Sequence, residues 1–350
     1  MSHTEHEKSY GASGGLAAEA VLESGTDVIA AEHAIKARGY WEQVWRRFKR
    51  DKVALAGGIF VIFLILTAIF GGPLAATILG HGPNDLFFTA VDERLLPVGP
   101  WTWVDDVNNP GHQTLFVLGA DGTLGRDEFL RLLYGARVSL EVAVGGTVIA
   151  MFIGTLMGAS AGYFRGWVDT VVSRITDITM AFPSLLFIIA LASTVGTRLD
   201  HVTFGIFGEG VVTLILVFSI FGWFYPARIL RAVVLSLREK EFIEAARMVG
   251  SSDWRIIRSH ILPHLIAPII VYSTLAVASY VLAEAGLSFL GIGIKLPTPS
   301  WGNLLSDAPN FYTSQPWLMV WPGLAILLTT LAFNLLGDGL RDAFDPRSTQ

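Results

Sequence analysis

Cysteine does not occur anywhere in these 350 residues. Its absence excludes disulfides, iron–sulfur clusters, thiolate zinc sites and a thiol nucleophile. Charge is scarce too: 16% of residues are Asp, Glu, Lys or Arg, against 52% hydrophobic. A soluble domain needs more charge than this on its exterior, so composition points to a polytopic membrane protein. A Gly-x-x-x-x-Gly-Lys-Ser/Thr phosphate loop is also missing, so the chain is not expected to hydrolyse ATP. No nucleophile–base pair, metal-ligand set or nucleic-acid surface emerges. His3 and His6 form only a pair in a polar tail, and such pairs more often bind nothing.

What is present in quantity is apolar sequence. Segments 53–77, 138–161, 178–197, 210–227, 263–283 and 316–336 each approach the roughly 20 residues that carry a helix across a bilayer. The expected fold class is therefore all-α, with six transmembrane helices. Lys36, Arg38, Arg46, Arg47, Lys49, Arg50 and Lys52 precede the first segment, and seven more cations lie between Arg228 and Arg258. Residues 78–136 hold only Arg94, Arg126 and Arg131. Because lysine and arginine stay on the cytoplasmic side, both termini and the 228–262 segment are expected there, with 78–136 outside.

This gives an acidic, disordered tail over 1–35 and an interfacial elbow helix over 36–52, in which Tyr40, Trp41, Val44, Trp45 and Phe48 repeat at helical spacing. The first membrane helix follows at 53–77. An outer loop or small lobe spans 78–136, and a core of five helices covers 137–338. A cytoplasmic tail, 339–350, ends the chain. The first span lies too far from Met1 to be a cleaved signal peptide. Gly145, Gly146, Gly154 and Gly158 line one side of the second span as a packing seam. Trp301, Trp317 and Trp321 are expected in an interfacial belt.

Between the fourth and fifth spans the pattern reads as two short helices. Val233, Val234, Leu237, Phe242, Ala245, Ala246 and Val249 fall on one side of the first. Gly250 stops that helix, and the side chains of Ser251, Ser252 and Asp253 restart the next by accepting backbone N–H bonds. Trp254, Ile257 and Ile261 form its apolar side, and Leu262-Pro263 ends it. Glu241 opens the segment. Glu244 offers a carboxylate to a partner, and Ala245 and Ala246 leave a flat surface against which a groove can close.

Within lipid, Glu141 and Glu284 stand out because intramembrane charge usually serves function. Arg137 and Glu141, four residues apart, suit a helix-face ion pair better than a substrate contact. For Glu284 two readings stand equally: it caps broken backbone near Gly286, Gly291 and Gly293, or it meets a substrate's ammonium group at a gate.

The spacing of Glu244, Ala245, Ala246 and Gly250 with Leu262-Pro263 resembles the EAA loop of bacterial ABC importer permeases. WRRFKRDK (45–52), GYFRGWVD (162–169), AFPS (181–184), EAGLSFLGIG (284–293), PTPSWG (297–302) and NLLGDGLRD (334–342), with Asp345-Pro-Arg347 after it, extend the likeness. Together they resemble the C-type permease subunit of dipeptide/oligopeptide (Dpp/Opp) ABC importers, over about residues 40–77 and 125–347. His260 stands where the wider family has isoleucine, a substitution shared with the peptide-importing branch. The outer segment 78–124 is longer than the family pattern.

The resemblance implies the type I ABC importer permease (MetI-like) fold in a bacterial inner or plasma membrane. It also implies a non-catalytic subunit that forms half of a translocation path. A second homologous permease, two cytoplasmic ATPases and an extracytoplasmic peptide-binding protein would be its partners, with membrane lipid around it. ATP and Mg would be held by the ATPases and no cofactor by this chain. The EAA-loop residues Glu241, Glu244, Ala245, Ala246, Gly250, Ser251, Asp253, Leu262 and Pro263 would receive the ATPases. Permeases for nickel, glutathione or oligosaccharides share these features. A membrane-embedded enzyme would need more intramembrane ionisable groups, and a secondary transporter would need inverted repeats and ion sites.

Overall fold

In a computed structural model, residues 39–106, 111–200 and 208–345 are described. The tail 1–35, His3, His6, Lys36, Arg38, Pro346 and Arg347 lie outside them. The chain divides after Arg47 into two units. The first contains the start of helix α1 (Tyr40–Arg50), on which Tyr40, Trp41 and Trp45 are exposed. The remaining elements belong to the second unit.

Helix α2 (Lys52–Leu66) starts at Asp51, whose Oδ1 accepts the Val53 and Ala54 N–H groups at 2.9 and 3.0 Å, the expected use of an N-cap carboxylate. One wide turn over Thr67–Gly71 joins it to α3 (Gly72–Leu79). Pro73 lacks the N–H that would bond four residues back, and widening the preceding turn keeps the helix going. The span thus runs on to Leu79 and stops at Gly80, with φ 79°.

Outside this span lies a small lobe. Strands β1 (Thr102–Asp105) and β2 (Gln113–Phe116) pair antiparallel, with Trp103 opposite Leu115. Strands β3 (Ala120–Asp121) and β4 (Arg126–Asp127) form a second, shorter pair. Phe87, Ala90, Val104, Phe116 and Ala120 make the lobe's own core.

Helix α4 (Glu128–Phe164) is the axis of the molecule. Its 37 residues span about 55 Å, well beyond the ~30 Å of hydrocarbon, so its ends reach past the bilayer. Asp127 caps it. Helices α5 (Gly166–Ala181) and α6 (Ser184–Asp200) follow. The span expected over 178–197 begins earlier and is bent. The chain bends by 85° between Ala181 and Ser184, because Pro183 pushes Phe182 into extended backbone (φ −89°, ψ 142°) and cannot continue the helix.

Helices α7 (Val211–Gly222) and α8 (Phe224–Arg238) run on as one 28-residue span, Val211–Arg238. The fourth span is therefore longer than 210–227 and carries Arg228, Arg231 and Arg238 on its extension. After α9 (Glu241–Met248) and α10 (Asp253–Ile256), a wide turn over Ile257–Ile261 leads into α11 (Leu262–Phe289). Pro263 does not end a helix, contrary to the sequence expectation. As at Pro73, the turn before it widens, and Asp253–Phe289 is continuous over 37 residues. Helix α12 (Trp301–Asp307) begins with a reciprocal Ser300–Asn303 cap, and α13 (Trp317–Phe344) closes the fold. Among the described residues, five helices are long and apolar enough to cross a membrane. Counting the bent α5–α6 pair makes six.

Helix α4 packs mainly on α8, α7 and α11, and α13 packs on α2 and α11. A Cβ on Gly154 would lie 2.8 Å from Pro226 Cγ, and one on Gly158 would lie 2.5 Å from Ala227 O. Gly154 and Gly158 thus form a seam where α8 touches α4, whereas Gly145 and Gly146 face the Ile215 and Phe218 side chains of α7. Trp301 is corrected from interface to core. It is 2% exposed, and its Nε1 donates to Leu132 O at 3.1 Å.

Sequence reasoning gave no sign of the buried polar network that fastens the lobe to α4. Arg131 Nε lies 2.6 Å and Arg126 Nη2 2.8 Å from Asp121 Oδ2. Burial pushes the Asp121 carboxyl up, against the pull of these two guanidinium groups. His81 Nε2 is 3.0 Å from Asp127 Oδ2, and its Nδ1 faces Leu79 O at 3.2 Å. With an acceptor at each nitrogen, the doubly protonated ring fits. Burial pulls its pKa down, but the hydrogen bond and charge of Asp127 outweigh this and hold it above the ordinary 6.5.

A raised folded-state pKa stabilises the lobe fully below about pH 6.5, and the effect is lost as pH climbs through the raised value. Protection factors of lobe amides should accordingly hold steady below about pH 6.5 and fall as pH climbs above it. In His81→Gln they should be lower at acid pH and flat as pH rises. An equally steep profile in the variant would remove His81 as its cause.

Candidate coupling site

The candidate site is the hairpin between α8 and α11. Helix α8 ends at Arg238, and α9 restarts after Lys240 in extended backbone (φ −83°, ψ 144°). This two-residue break shifts the helical register, so the single stripe expected from Val233 to Val249 does not form. Val234 is buried, but on α9 it is Ile243 that points inward, at 0% exposure. Ile243 meets Leu230, Ile256, Ile261 and Leu265 in one apolar cluster.

Glu241 and Glu244 occupy the first turn of α9 and face solvent. There the free N–H groups favour negative charge. Ala245 is exposed and Ala246 half-buried. At the other end, Ser251 N donates to Ala246 O at 3.0 Å and Gly250 N to Arg247 O at 2.9 Å. This is the paired bonding that closes a helix through a left-handed residue. Gly250 is that residue, with φ 83°, and a Cβ at this position would meet nothing within 4 Å. The reversal needs glycine for its backbone, not for space.

Ser252 has cap geometry (φ −66°, ψ 151°), yet its side chain makes no capping bond. The expectation that side chains at 251–253 cap this helix is corrected: Asp253 Oδ1 accepts from Tyr163 O–H at 2.6 Å. Trp254 is exposed and Ile256 points inward in its place, while Ile257 and Ile261 pack into the same cluster as expected. Leu262 and Pro263 are exposed on the outer side of the continuous helix. His260 lies inside the wide turn rather than at a helix end, its ring 6.4 Å from that of Phe242.

The residues that sequence reasoning missed are Met248 and Val249. At 83% and 86% they are the most exposed large apolar side chains described, and they flank Gly250 at the tip. Their signal in the sequence was adjacency to a helix-stopping glycine, which Val249's assignment to the buried stripe obscured.

Of the two intramembrane carboxylates, Glu141 takes the Arg137 Nε hydrogen bond at 2.7 Å. The pair sits on the rim of an apolar cleft of about 890 Å³ that also touches Ile65, Ile69 and Val148. Glu284 is wholly buried and accepts from Ser139 and Ser288 hydroxyls, each at 2.7 Å. Ser288 Oγ in turn accepts Ile294 N–H at 3.0 Å, and Ser139 Oγ accepts Trp301 N–H at 3.3 Å. Glu284 thereby ties α4, α11 and α12 together, and it lies inside the bundle rather than at an open mouth. A separate cavity of about 540 Å³ opens among α4, α7, α8, α11 and α13, with Met151, Tyr225, Tyr272, Ser279, Tyr280 and Arg341 in its wall.

A bundle of long apolar helices that carries one exposed polar hairpin is the architecture of a multi-pass membrane protein. Residues 151–350 match the family described as binding-protein-dependent transport system inner membrane component, and residues 39–97 match the N-terminal transmembrane domain of oligopeptide transport permease C. The glutathione transport system permease protein GsiD of Pectobacterium atrosepticum is 37% identical over 308 residues, which cover 88% of this chain and 91% of that protein. The dipeptide transport system permease protein DppC of Alkalihalophilus pseudofirmus is 39% identical over 311 residues, 88% and 90% of the two chains. A chain of the inward-facing MetNI methionine ABC transporter aligns over 61% of this chain and 96% of its own, at 17% identity and TM-score 0.48. The protein belongs to the family of inner membrane components of binding-protein-dependent transport systems. It is a multi-pass inner-membrane permease component.

Proposed function

We propose that this chain is one of two permease subunits in an ATP-driven importer of di- or oligopeptides. The observation that carries the reading is the hairpin tip, where Met248, Val249 and Glu244 are exposed around the left-handed Gly250. An apolar pair ringed by charge is what a docking groove takes up. Its partners on this reading are a second homologous permease, two ATPases that bind ATP and Mg, and an extracytoplasmic peptide-binding protein. The chain itself binds no nucleotide and performs no chemistry. Peptide as the cargo class is supported by relatives named for dipeptide and for glutathione, itself a tripeptide.

The termini and the hairpin face the cytoplasm, and the lobe faces outward. The cavity beside Tyr225, Tyr272 and Ser279 is this chain's share of the path. Its volume lies within the roughly 300–1,000 Å³ usual for small-molecule sites. Its hydroxyls and Arg341 match a peptide's amides and carboxylate. Glu284 acts in this reading as an internal tie that holds the path's wall.

Because the natural chain lacks cysteine, single cysteines report directly. In vesicles, a cysteine at Ser251 is expected to react only from the cytoplasmic side, and to become shielded when the ATPases bind. One at Glu93, exposed in the lobe, should react only from outside. The same complete complex should accumulate a labelled dipeptide only with ATP. Reversed labelling would sink the orientation, and absence of shielding would sink the docking role. Absence of dipeptide uptake would sink the cargo.

A further inference from the structure

The segment GYFRGWVD (162–169) has no part in the docking tip, yet its polar side chains fasten onto the elements that carry it. It forms the turn between α4 and α5, with Arg165 at φ 57° and Gly166 at φ 58°. A Cβ at Gly162 would lie 2.8 Å from Arg231 O and from Val234 Cβ, so α8 backbone lies directly against the turn. Three polar links run outward. Tyr163 O–H donates to Asp253 Oδ1 at 2.6 Å. Arg165 pairs with Glu239, and Asp169 takes two contacts from Arg231.

These links differ in weight. Arg165 and Glu239 are 46% and 67% exposed, and an ion pair so open to water contributes little. Asp169 and Arg231 join the turn to α8, upstream of the hairpin. Tyr163 alone reaches the hairpin's second helix. Only 3% exposed, its side chain packs in the cluster formed by Leu230, Val234, Ile243, Ile256 and Ile261. Its ring is also faced by two cations, Arg247 of α9 with Cζ at 5.4 Å and Arg238 of α8 with Cζ at 5.7 Å. Arg238 Nη1 is buried with no hydrogen-bond partner among the described residues, so the aromatic face is what this cation meets. One side chain at the end of α4 thus touches α8, α9 and α10 at once.

We infer that Tyr163 is a positioning residue that makes the hairpin move as one piece with α4. It links displacement of the docking tip to the helix at the centre of the bundle. The inference rests on the proposed role of the hairpin as the ATPase contact. In this arrangement the hydroxyl–Asp253 bond fixes where α10 sits, and the ring fixes where α8 and α9 sit. A tip pushed by a partner without that bond tilts on the short link at residues 239–240 and leaves α4 behind. ATP is then spent without transport.

The test uses the complete transporter in vesicles: this chain with its second permease, both ATPases and the binding protein. The readouts are ATP hydrolysed per dipeptide taken up and recovery of assembled complex. Tyr163→Phe keeps the ring and loses the bond. It should assemble normally and raise the ATP-to-peptide ratio about 5-fold, on the scale of one lost hydrogen bond. Asp253→Ala should do the same, and the double variant should be no worse than either single one. Asp253→Asn keeps an acceptor oxygen and should restore a ratio near wild type. Tyr163→Leu, which also removes the cation contacts, should uncouple further.

A wild-type ratio in Tyr163→Phe and Asp253→Ala, or additive effects in the double variant, would overturn the inference. So would loss of assembly in Tyr163→Phe, which would make the residue merely structural. If the wild-type complex takes up dipeptide and only these variants fail to respond, the inference alone falls. If the wild-type complex neither binds the ATPases nor takes up dipeptide, the proposed function falls.

Discussion

Replacing Gly250 with aspartate, or Glu244 with arginine, is expected to lower ATP-driven uptake at least ~30-fold, the size of a lost interface hot spot. The chain itself should still fold and insert. Both positions are exposed, and a Cβ at Gly250 meets nothing within 4 Å. The cost within the chain is therefore only the left-handed backbone of Gly250, about 1–2 kcal/mol for a residue with a side chain. What changes is the surface offered to a partner. At Gly250 a carboxylate would stand beside Met248 and Val249. At Glu244 the sign of charge would invert in the first turn of α9, where a cation also opposes the helix dipole. Gly250→Asn separates the two effects, because asparagine tolerates left-handed backbone and adds no charge. It should retain most of the uptake. Co-purification of the ATPases with the membrane-inserted variants is the direct measurement. Normal recovery of the ATPases with both charged variants would remove the hairpin from the docking role.

The second large effect is internal. Gly158→Leu should cost about 3 kcal/mol or more, the upper end for overpacking. Its Cβ would lie 2.5 Å from Ala227 O and 3.1 Å from Ala227 Cα. Both are backbone atoms, so no rotamer change relieves the clash, and α4 and α8 must separate. That contact also carries the α8 end of the hairpin, so stability and coupling should fail together. Gly286→Ala is the matched control: it is helical too, with nothing within 4 Å of its Cβ. It should not destabilise, because helical backbone favours alanine over glycine by up to about 1 kcal/mol. Thermal unfolding in detergent, followed by tryptophan fluorescence, compares the two. Similar melting of both variants would refute the seam as a structural contact.

Two prolines show where sequence reading reached and where it stopped. Pro183 and Pro263 carry the same local information: no N–H, and a restricted residue before them. At Pro183 the chain bends by 85°, while at Pro263 a wide turn absorbs the missing bond and the helix runs on. Local chemistry says that a hydrogen bond is lost, and only the surroundings decide between a break and a bulge. Ile261 and Leu265 are anchored at 0% exposure on either side of Pro263, so continuing the helix keeps both in the core.

Register carries the same lesson. One skipped turn at residues 239–240 moved the inward face from Val249 to Ile243, and no periodicity count crosses such a break. The Tyr163–Asp253 bond joins residues 90 apart, and the His81–Asp127 pair closes a lobe with little repeating pattern. Neither left a mark in the sequence.

The amino-acid sequence by itself determined the class of the molecule. Apolar runs of membrane length, cations gathered before the first span and within 228–258, and a polar segment between two spans are read from residue types and spacing, which act along the chain. The tertiary structure alone decided which side chains of that polar segment face outward, which carboxylates are sealed inside the bundle, and which helix holds the hairpin. Those outcomes depend on contacts between residues far apart in sequence, and they form only when the helices pack.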